Sequence, residues 1–452
     1  MKRLLKGSLT VLLAALLAGA CLSVGTSAAG GFTIRNPYQN VDWAAHKAYR
    51  AQLHTHTTAS DGADTLAQAV EAYYGMGYDL LSITDHSVID RGWVKPNYRP
   101  VAQSKKEKPI AGLAKARLDQ IAAGQGRIDA RGMVRVPLGI ELTANKMIHV
   151  NSWFCDWGSN YPVNDYDVCV KNVNRKGGLC MINHAGSAYD HKNIPVADLY
   201  TTQNTDFVWK TQRLIEKYPA LLGFEIPSVR DRKLWDIVLK NVSPTGRNVF
   251  GIATSDAHSL ENIDKGWVWA MMPANTEGNL KASLKTGAFF AGSHATSPDV
   301  LSELYEEMGV QLDYQPVYDE QLDEILMAAP PSTPEPMITD IAVAGDTITI
   351  TAVNHSAVRW ISDGKVVAPG AAIDLEANRA ALGAYVRAEV YGPGGILYTQ
   401  PFLLTYDGMP ARTPVPADYK DPGEVTFWQQ LQYPFFWMLN QLWCMARGII
   451  GK

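Results

Sequence analysis

Short apolar runs alternate with longer stretches of helical periodicity across residues 50–295. The runs at 51–56, 80–84, 134–142, 149–154, 179–183, 221–226, 249–254 and 267–272 predict strands. The clearest helix follows the first run. Thr65 can accept a hydrogen bond from its first turn, Leu66, Ala69, Val70 and Tyr73 recur on one face, and Gly75 or Gly77 ends it. Strands that alternate with helices pair in parallel, in a barrel or in a doubly wound sheet. Polar residues follow almost every run, and a barrel gathers the groups at its strand ends on one rim, so the barrel is the favoured expectation.

The pattern changes after residue 300. Residues 300–337 combine an acidic, partly helix-compatible stretch with the proline-rich sequence AAPPSTPEP, which reads as a linker. From 338 to 406 apolar and polar positions alternate, as in Ile348, Ile350 and Ala352 or Val386, Ala388 and Val390, with turn signals at Asp363-Gly364 and 392–395. Period-two alternation with frequent turns predicts a small antiparallel β-sandwich, on which His355 is an ordinary surface or turn residue. Residues 426–452 are rich in aromatics, including Trp428, Phe435, Phe436, Trp437 and Trp443. Pro434, Gln429, Gln430, Gln432, Asn440 and Gln441 argue against a membrane span. This aromatic face is expected to dock on the protein itself or on a dimer partner, with a membrane interface as the alternative; Arg447 and Lys452 offer anionic lipids little.

A chain of 452 residues is expected to form two or three folded units, and 46% hydrophobic content can fill their cores. A net charge of -4 gives no support to a broad nucleic-acid surface, although a local basic site could hold one phosphate. Residues 1–29 place Lys2, Arg3 and Lys6 before an apolar run and a stretch of small residues, which predicts a secretory signal peptide and an extracellular or envelope location. Ala18-Gly19-Ala20-Cys21 resembles a lipoprotein cleavage box, with Ala18 where leucine is usual. Of the remaining cysteines, Cys155 and Cys169 form a near pair that an oxidising compartment could join; buried free thiols, Cys180 and Cys444 among them, are the equal alternative. Without a CxxC pair, a thiolate zinc site is not expected.

The candidate chemistry lies at the strand ends. His54, His56 and Asp61 occur in LHTHTTASDG, His86 in LLSITDHS, Glu141 in VPLGIELTA, His149 in MIHVNSWF, His184 in LCMINHAG, and Asp256 with His258 in GIATSDAHS. Residues two apart on an extended chain point the same way, so His54 with His56, and Asp256 with His258, can each address one ion. Imidazole and carboxylate are ligands for Zn, Mn or Fe that leave positions open to water, and nine such groups exceed what one ion needs. Asp85 can orient a neighbouring ligand. Glu225 in LLGFEIPS is either a residue of that kind or an ordinary strand-end carboxylate. Arg91, Lys146 and Arg230 follow strand ends and could contact a substrate phosphate, whereas His46, His191 and His294 lack the strand-end pattern and are expected to be non-ligands.

Taken together, LHTHTTASDG, SITDHS, GIELTA, the histidine strands and ATSDAHS resemble, in order, the PHP superfamily, named for polymerase and histidinol phosphatase domains. The resemblance covers residues 50–295. It implies a distorted (β/α)7 barrel holding two or three divalent ions of Mn, Zn, Fe or Mg. It also implies that His54, His56, Asp61, His86, Glu141, His149, His184, Asp256 and His258 are their ligands. Clustered ions lower the pKa of a bridging water and neutralise charge on the scissile group, so this metal-bound water is the expected nucleophile. The expected activity is hydrolysis of a phosphomonoester or phosphodiester, of a small-molecule or nucleotide-like substrate. A carbamate or ester hydrolase on the same centre is the alternative, and a metal-stabilised surface binding protein is a third. No Gx4GK[ST] loop or GxSxG elbow supports a P-loop NTPase or a serine hydrolase.

Overall fold

The computed structural model describes residues 31–95, 111–143, 149–158, 165–187, 191–319, 324–330 and 332–420, with Phe435, Met438, Leu439 and Leu442 of the tail. The segment 1–29 expected to be a signal peptide, Cys21, Lys146, Cys444 and the rest of the 426–452 tail lie outside the described residues. Among the described residues, no helix is long and apolar enough to cross a membrane.

Two of the expected strands differ from the sequence pattern in instructive ways. The first lies at Lys47–Gln52 rather than 51–56, so His54 and His56 follow it on an extended segment pinned by an isolated parallel bridge between Thr55 and Ala257. The run at 134–142 divides into Val134–Arg135 and Ile140–Thr143. Pro137 has no amide to give a ladder, and Leu138 takes a φ of 58°, which turns the chain between the two pieces. The helix Leu66–Gly75 forms as expected, with Thr65 and Gln68 in a reciprocal capping box and Leu66, Ala69, Val70 and Tyr73 buried.

The strands Ile140–Thr143, His149–Trp153, Leu179–Ile182, Leu221–Glu225 and Phe250–Ile252 form one sheet in that order, antiparallel over the first three and parallel over the last three. Lys47–Gln52, Leu80–Leu81 and Val134–Arg135 pair in parallel in a second sheet. The expected distorted (β/α)7 barrel is borne out only as a mixed α/β arrangement of several sheets, with no closed barrel among the described residues. Among the described residues the two sheets meet at the rim only through the isolated bridges Thr55–Ala257 and His86–Glu141, without a continuous closing ladder. The break at Pro137 and Leu138 supplies the physical reason, because it separates the strand that pairs with Leu80–Leu81 from the one that carries Glu141.

The C-terminal strands form two layers. Ile338, Ile341, Ile348 and Ile350 from one layer share a core with Trp360, Val386, Val390 and Phe402 from the other. This unit is also continuous with the N-terminal one, since Gly395–Tyr398 pairs antiparallel with Phe289–Ser293 and Phe290 joins the same core. A buried chain of charges links the two: Arg387 lies 2.7 Å from both Asp236 and Glu389, and Arg359 lies 2.8 Å from Glu389. Residues 300–337 contain more than a linker. The helix Pro298–Glu306 is followed by Val317–Asp319 and Glu324–Leu326, and the latter strand folds back to pair with Ala295–Thr296. Cys155, Cys169 and Cys180 are free and buried, which settles these three as thiols rather than a disulfide.

Candidate metal centre

The segment after Gln52 is built to aim two imidazoles inward. Asn151 Nδ2 and Trp153 Nε1 both donate to the Leu53 carbonyl, and Gln52 Oε1 accepts from the His54 amide. Asp85, fully buried, accepts from the Thr57 amide, the Thr57 hydroxyl and the Ser60 hydroxyl, each at 2.7 Å. It therefore fixes the turn that carries Asp61 rather than any imidazole directly. Gly62 is required in that turn, because a Cβ there would meet the backbone carbons of His56 and Thr57 at 2.8 Å.

At the floor of the site a single carboxylate faces five imidazoles. Glu141 Oε1 lies 3.5 Å from His54, 3.0 Å from His149 and 3.4 Å from His184; Oε2 lies 2.7 Å from His86 and 3.4 Å from His56. Glu141 is fully buried, and the same His86 Nδ1 that faces its Oε2 also faces Thr143 Oγ1. A buried carboxylate is costly unless cations serve it. Asp256 completes the inner cluster, with Oδ1 at 3.1 Å from both His54 and His56. Toward the mouth, Asp61 lies 3.4 Å from His86 and 3.3 Å from His258, and the Asp61 and His258 side chains are 55% and 39% exposed against 0% for Glu141, His54 and His56.

All nine residues expected at the rim therefore meet in one place. Donor atoms of seven of them form three groups lying within 4.8 Å: His56, Asp61, His86 and His258; His54, His56 and Glu141; His86, Glu141 and His149. The other two adjoin these groups, His184 at 3.4 Å from Glu141 and Asp256 at 3.1 Å from both His54 and His56. Hydrogen bonds set the tautomers. His54 Nδ1 faces Glu225 at 2.7 Å and His258 Nδ1 faces the Asp256 carbonyl at 3.0 Å, which leaves each Nε2 lone pair for an ion.

The electrostatics match a cation site. Burial disfavours charged imidazoles, but Glu141 and Asp61 outweigh it at His86 and push the pKa up to about 10. Burial is likewise overcome at His184 by the hydrogen bond with Glu141 and the charge of Asp256, giving about 9. His54 and His258 shift upward for the same kind of reason. His56 moves down, because burial and the neighbouring His86 outweigh its carboxylates. Burial would raise the carboxyls, yet the imidazoles hold Asp61, Glu141 and Asp256 below the usual range. Protons on these imidazoles balance charge that divalent ions can balance in their place.

Glu225 proves to be the positioning residue. It is fully buried, receives His54 Nδ1 on Oε1 together with the Thr254 hydroxyl, and accepts the His184 amide at 2.8 Å on Oε2. Glu225→Gln removes the charge that orients His54 and turns an NH2 toward the His184 amide. The expected result is a metal affinity about 10–100-fold weaker in a folded protein, read by titration against a competing chelator. Unchanged affinity would refute the assignment.

The proposed phosphate contacts fare differently. Arg91 is held by exposed Asp156 through two hydrogen bonds, at 2.8 and 3.2 Å, and does not line the cavity above the cluster. Arg230 lines that cavity, but its Nη1 donates to the carbonyls of His191 and Ile194. Two lysines that the strand-end search passed over, Lys192 and Lys265, also line it. Lys265 was within reach of sequence reasoning, seven residues beyond the DAH motif and next to an apolar run. His294 lies with Asp264 and Glu335 in a fourth donor group, but there the Arg50 guanidinium stands 2.8 and 2.7 Å from the two carboxylates and already supplies the cation.

No protein-family model matches the chain, and no curated protein does. Solved structures do. One is a two-domain protein containing a predicted PHP-like metal-dependent phosphoesterase from Bacteroides vulgatus, 15% identical, with 83% of this chain and 92% of that chain covered at a TM-score of 0.39. A PHP-like phosphoesterase is thus among its structural neighbours. The chain is also similar to the lesion-specific endonuclease PfuEndoQ from Pyrococcus furiosus, at 12% identity over 53% of this chain and 56% of that chain with a TM-score of 0.31. PsfC from Pseudomonas syringae is 11% identical over 58% of this chain and all of that one, 100%, at 0.34. Scores this low leave the reaction to be argued from the site itself.

Proposed function

We propose that this chain is a metal-dependent hydrolase of the PHP type, acting on a phosphomonoester or phosphodiester. The observation that carries the reading is Glu141, a buried carboxylate whose two oxygens face two different sets of imidazoles. A carboxylate can serve two ions in this way, whereas an imidazole gives one lone pair to one ion. The donor set, all nitrogen and oxygen, suits Mn, Zn, Fe or Mg, its many imidazoles favouring Zn and Fe and its carboxylates accommodating Mn and Mg, with softer thiolate chemistry absent from it.

Bound divalent ions would supply an acidified water and neutralise charge gathering on phosphoryl oxygens. The chain's own residues do the rest. Glu141, His54 and His56 form a floor closed to solvent, and Asp61, Asp256 and His258 leave an open side where substrate can approach. Asp85 and Glu225 hold that arrangement without facing the cavity.

An assay of aryl phosphate, bis-aryl phosphate and aryl carbamate, with each metal in turn, tests the reading. Metal-dependent turnover of at least one phosphate is expected. Turnover of the carbamate alone would replace the proposal by the carbonyl-directed one.

A further inference from the structure

The cavity above the cluster has a volume of about 460 Å3. That lies in the lower half of the roughly 300–1,000 Å3 of small-molecule sites. One wall comes from Ala295 and from Glu324 and Leu326, whose strands pair with each other and close a side of the cleft. The wall is firmly seated: the buried Arg232 lies 2.6 Å from Glu324, and the Met327 amide donates to the His294 carbonyl at 2.6 Å.

A further feature of the lining bears on the ligand. It contains Lys265, half-buried and without an ion pair among the described residues. The Lys265 backbone is held on both sides, the amide donating to Ser255 Oγ at 3.2 Å and the carbonyl accepting the His294 amide at 3.0 Å. Ser255 immediately precedes Asp256, so these bonds anchor Lys265 beside the metal ligands. Lys192 adds a second, exposed ammonium to the same lining.

We propose that Lys265 binds the anionic group of the substrate. This rests on the phosphoesterase reading above and adds a binding residue to it.

The test uses the metal-loaded full chain and its Lys265→Ala and Lys265→Arg variants. The substrate is the aryl phosphate of the assay above. Lys265→Ala is expected to raise KM about 10–100-fold with kcat changed little, and Lys265→Arg to restore most of the loss, as for removal of a charged hydrogen bond made equally in ground and transition states. Unchanged KM overturns the role of Lys265. Calorimetric binding of inorganic phosphate separates the two layers: if no phosphoester turns over yet phosphate binds about tenfold more weakly to Lys265→Ala, the hydrolase reading fails and the anion site stands.

Discussion

Glu141→Gln is expected to lower kcat/KM by about a thousandfold or more and to strip the purified protein of most of its metal. The size follows from the position. Glu141 is fully buried, and five imidazoles approach its two oxygens at 2.7–3.5 Å. Glutamine keeps the volume but offers one acceptor and an NH2 in place of two anionic oxygens. The NH2 would point at imidazole nitrogens whose lone pairs are meant for cations. A thousandfold corresponds to about 4 kcal/mol of transition-state stabilisation, within the several kcal/mol that clustered ions supply. Metal analysis beside the kinetics checks the cause. A variant that kept its ions and its rate would exclude Glu141 as a ligand, and circular dichroism would show whether lost activity came instead from lost folding.

The second large effect is on pH. In protein stripped of metal by a chelator, His86 and His184 have pKa values pushed up to about 10 and about 9 from an ordinary 6.5. A group whose folded pKa is raised stabilises the fold fully below its unfolded pKa, and that contribution is lost as pH climbs through the folded value. The window for these two histidines therefore runs from about 6.5 to about 10. The depressed carboxyls Asp61, Glu141 and Asp256 act in the opposite sense, stabilising above their ordinary carboxylate range and losing that contribution in acid. Metal ligation needs the imidazoles unprotonated, so ions must displace those protons. Two displaced protons make apparent affinity rise by up to about a hundredfold per pH unit below pH about 9. The rise in Tm on adding metal should accordingly be larger at pH 8.5 than at pH 6.5, by thermal melts of stripped and reloaded protein. An equal or smaller rise at the higher pH would contradict the proton-displacement account.

Much of the site was legible because its signals are local. An HxH on an extended chain, a DxH beside the next strands and a carboxylate after VPLGI are patterns of adjacent residues, and side-chain alternation along a strand is a property of the backbone alone. Glu225 was only half legible: its residue type allowed a positioning role, but nothing nearby in sequence says that His54, 171 residues away, is its partner. The basic residues were read least well. Arg91 and Arg230 had the right position after strands, yet the one is engaged by Asp156 and the other by carbonyls, and such pairings depend on loops meeting in space.

The sequence by itself determined the strand and helix alternation, the change to period-two alternation after residue 338, and the roster of nine donors, because hydrophobic period and residue chemistry are written along the chain. The tertiary structure alone decided that, among the described residues, the two sheets meet through bridges at Thr55 and His86 without a closed ladder. It also decided that Gly395–Tyr398 extends the N-terminal sheet and that Ala295, Glu324 and Leu326 wall the cleft. Each of those depends on pairing between segments far apart in the chain. Such pairing is chosen by the free energy of the whole packed molecule, to which no single stretch of sequence holds the key.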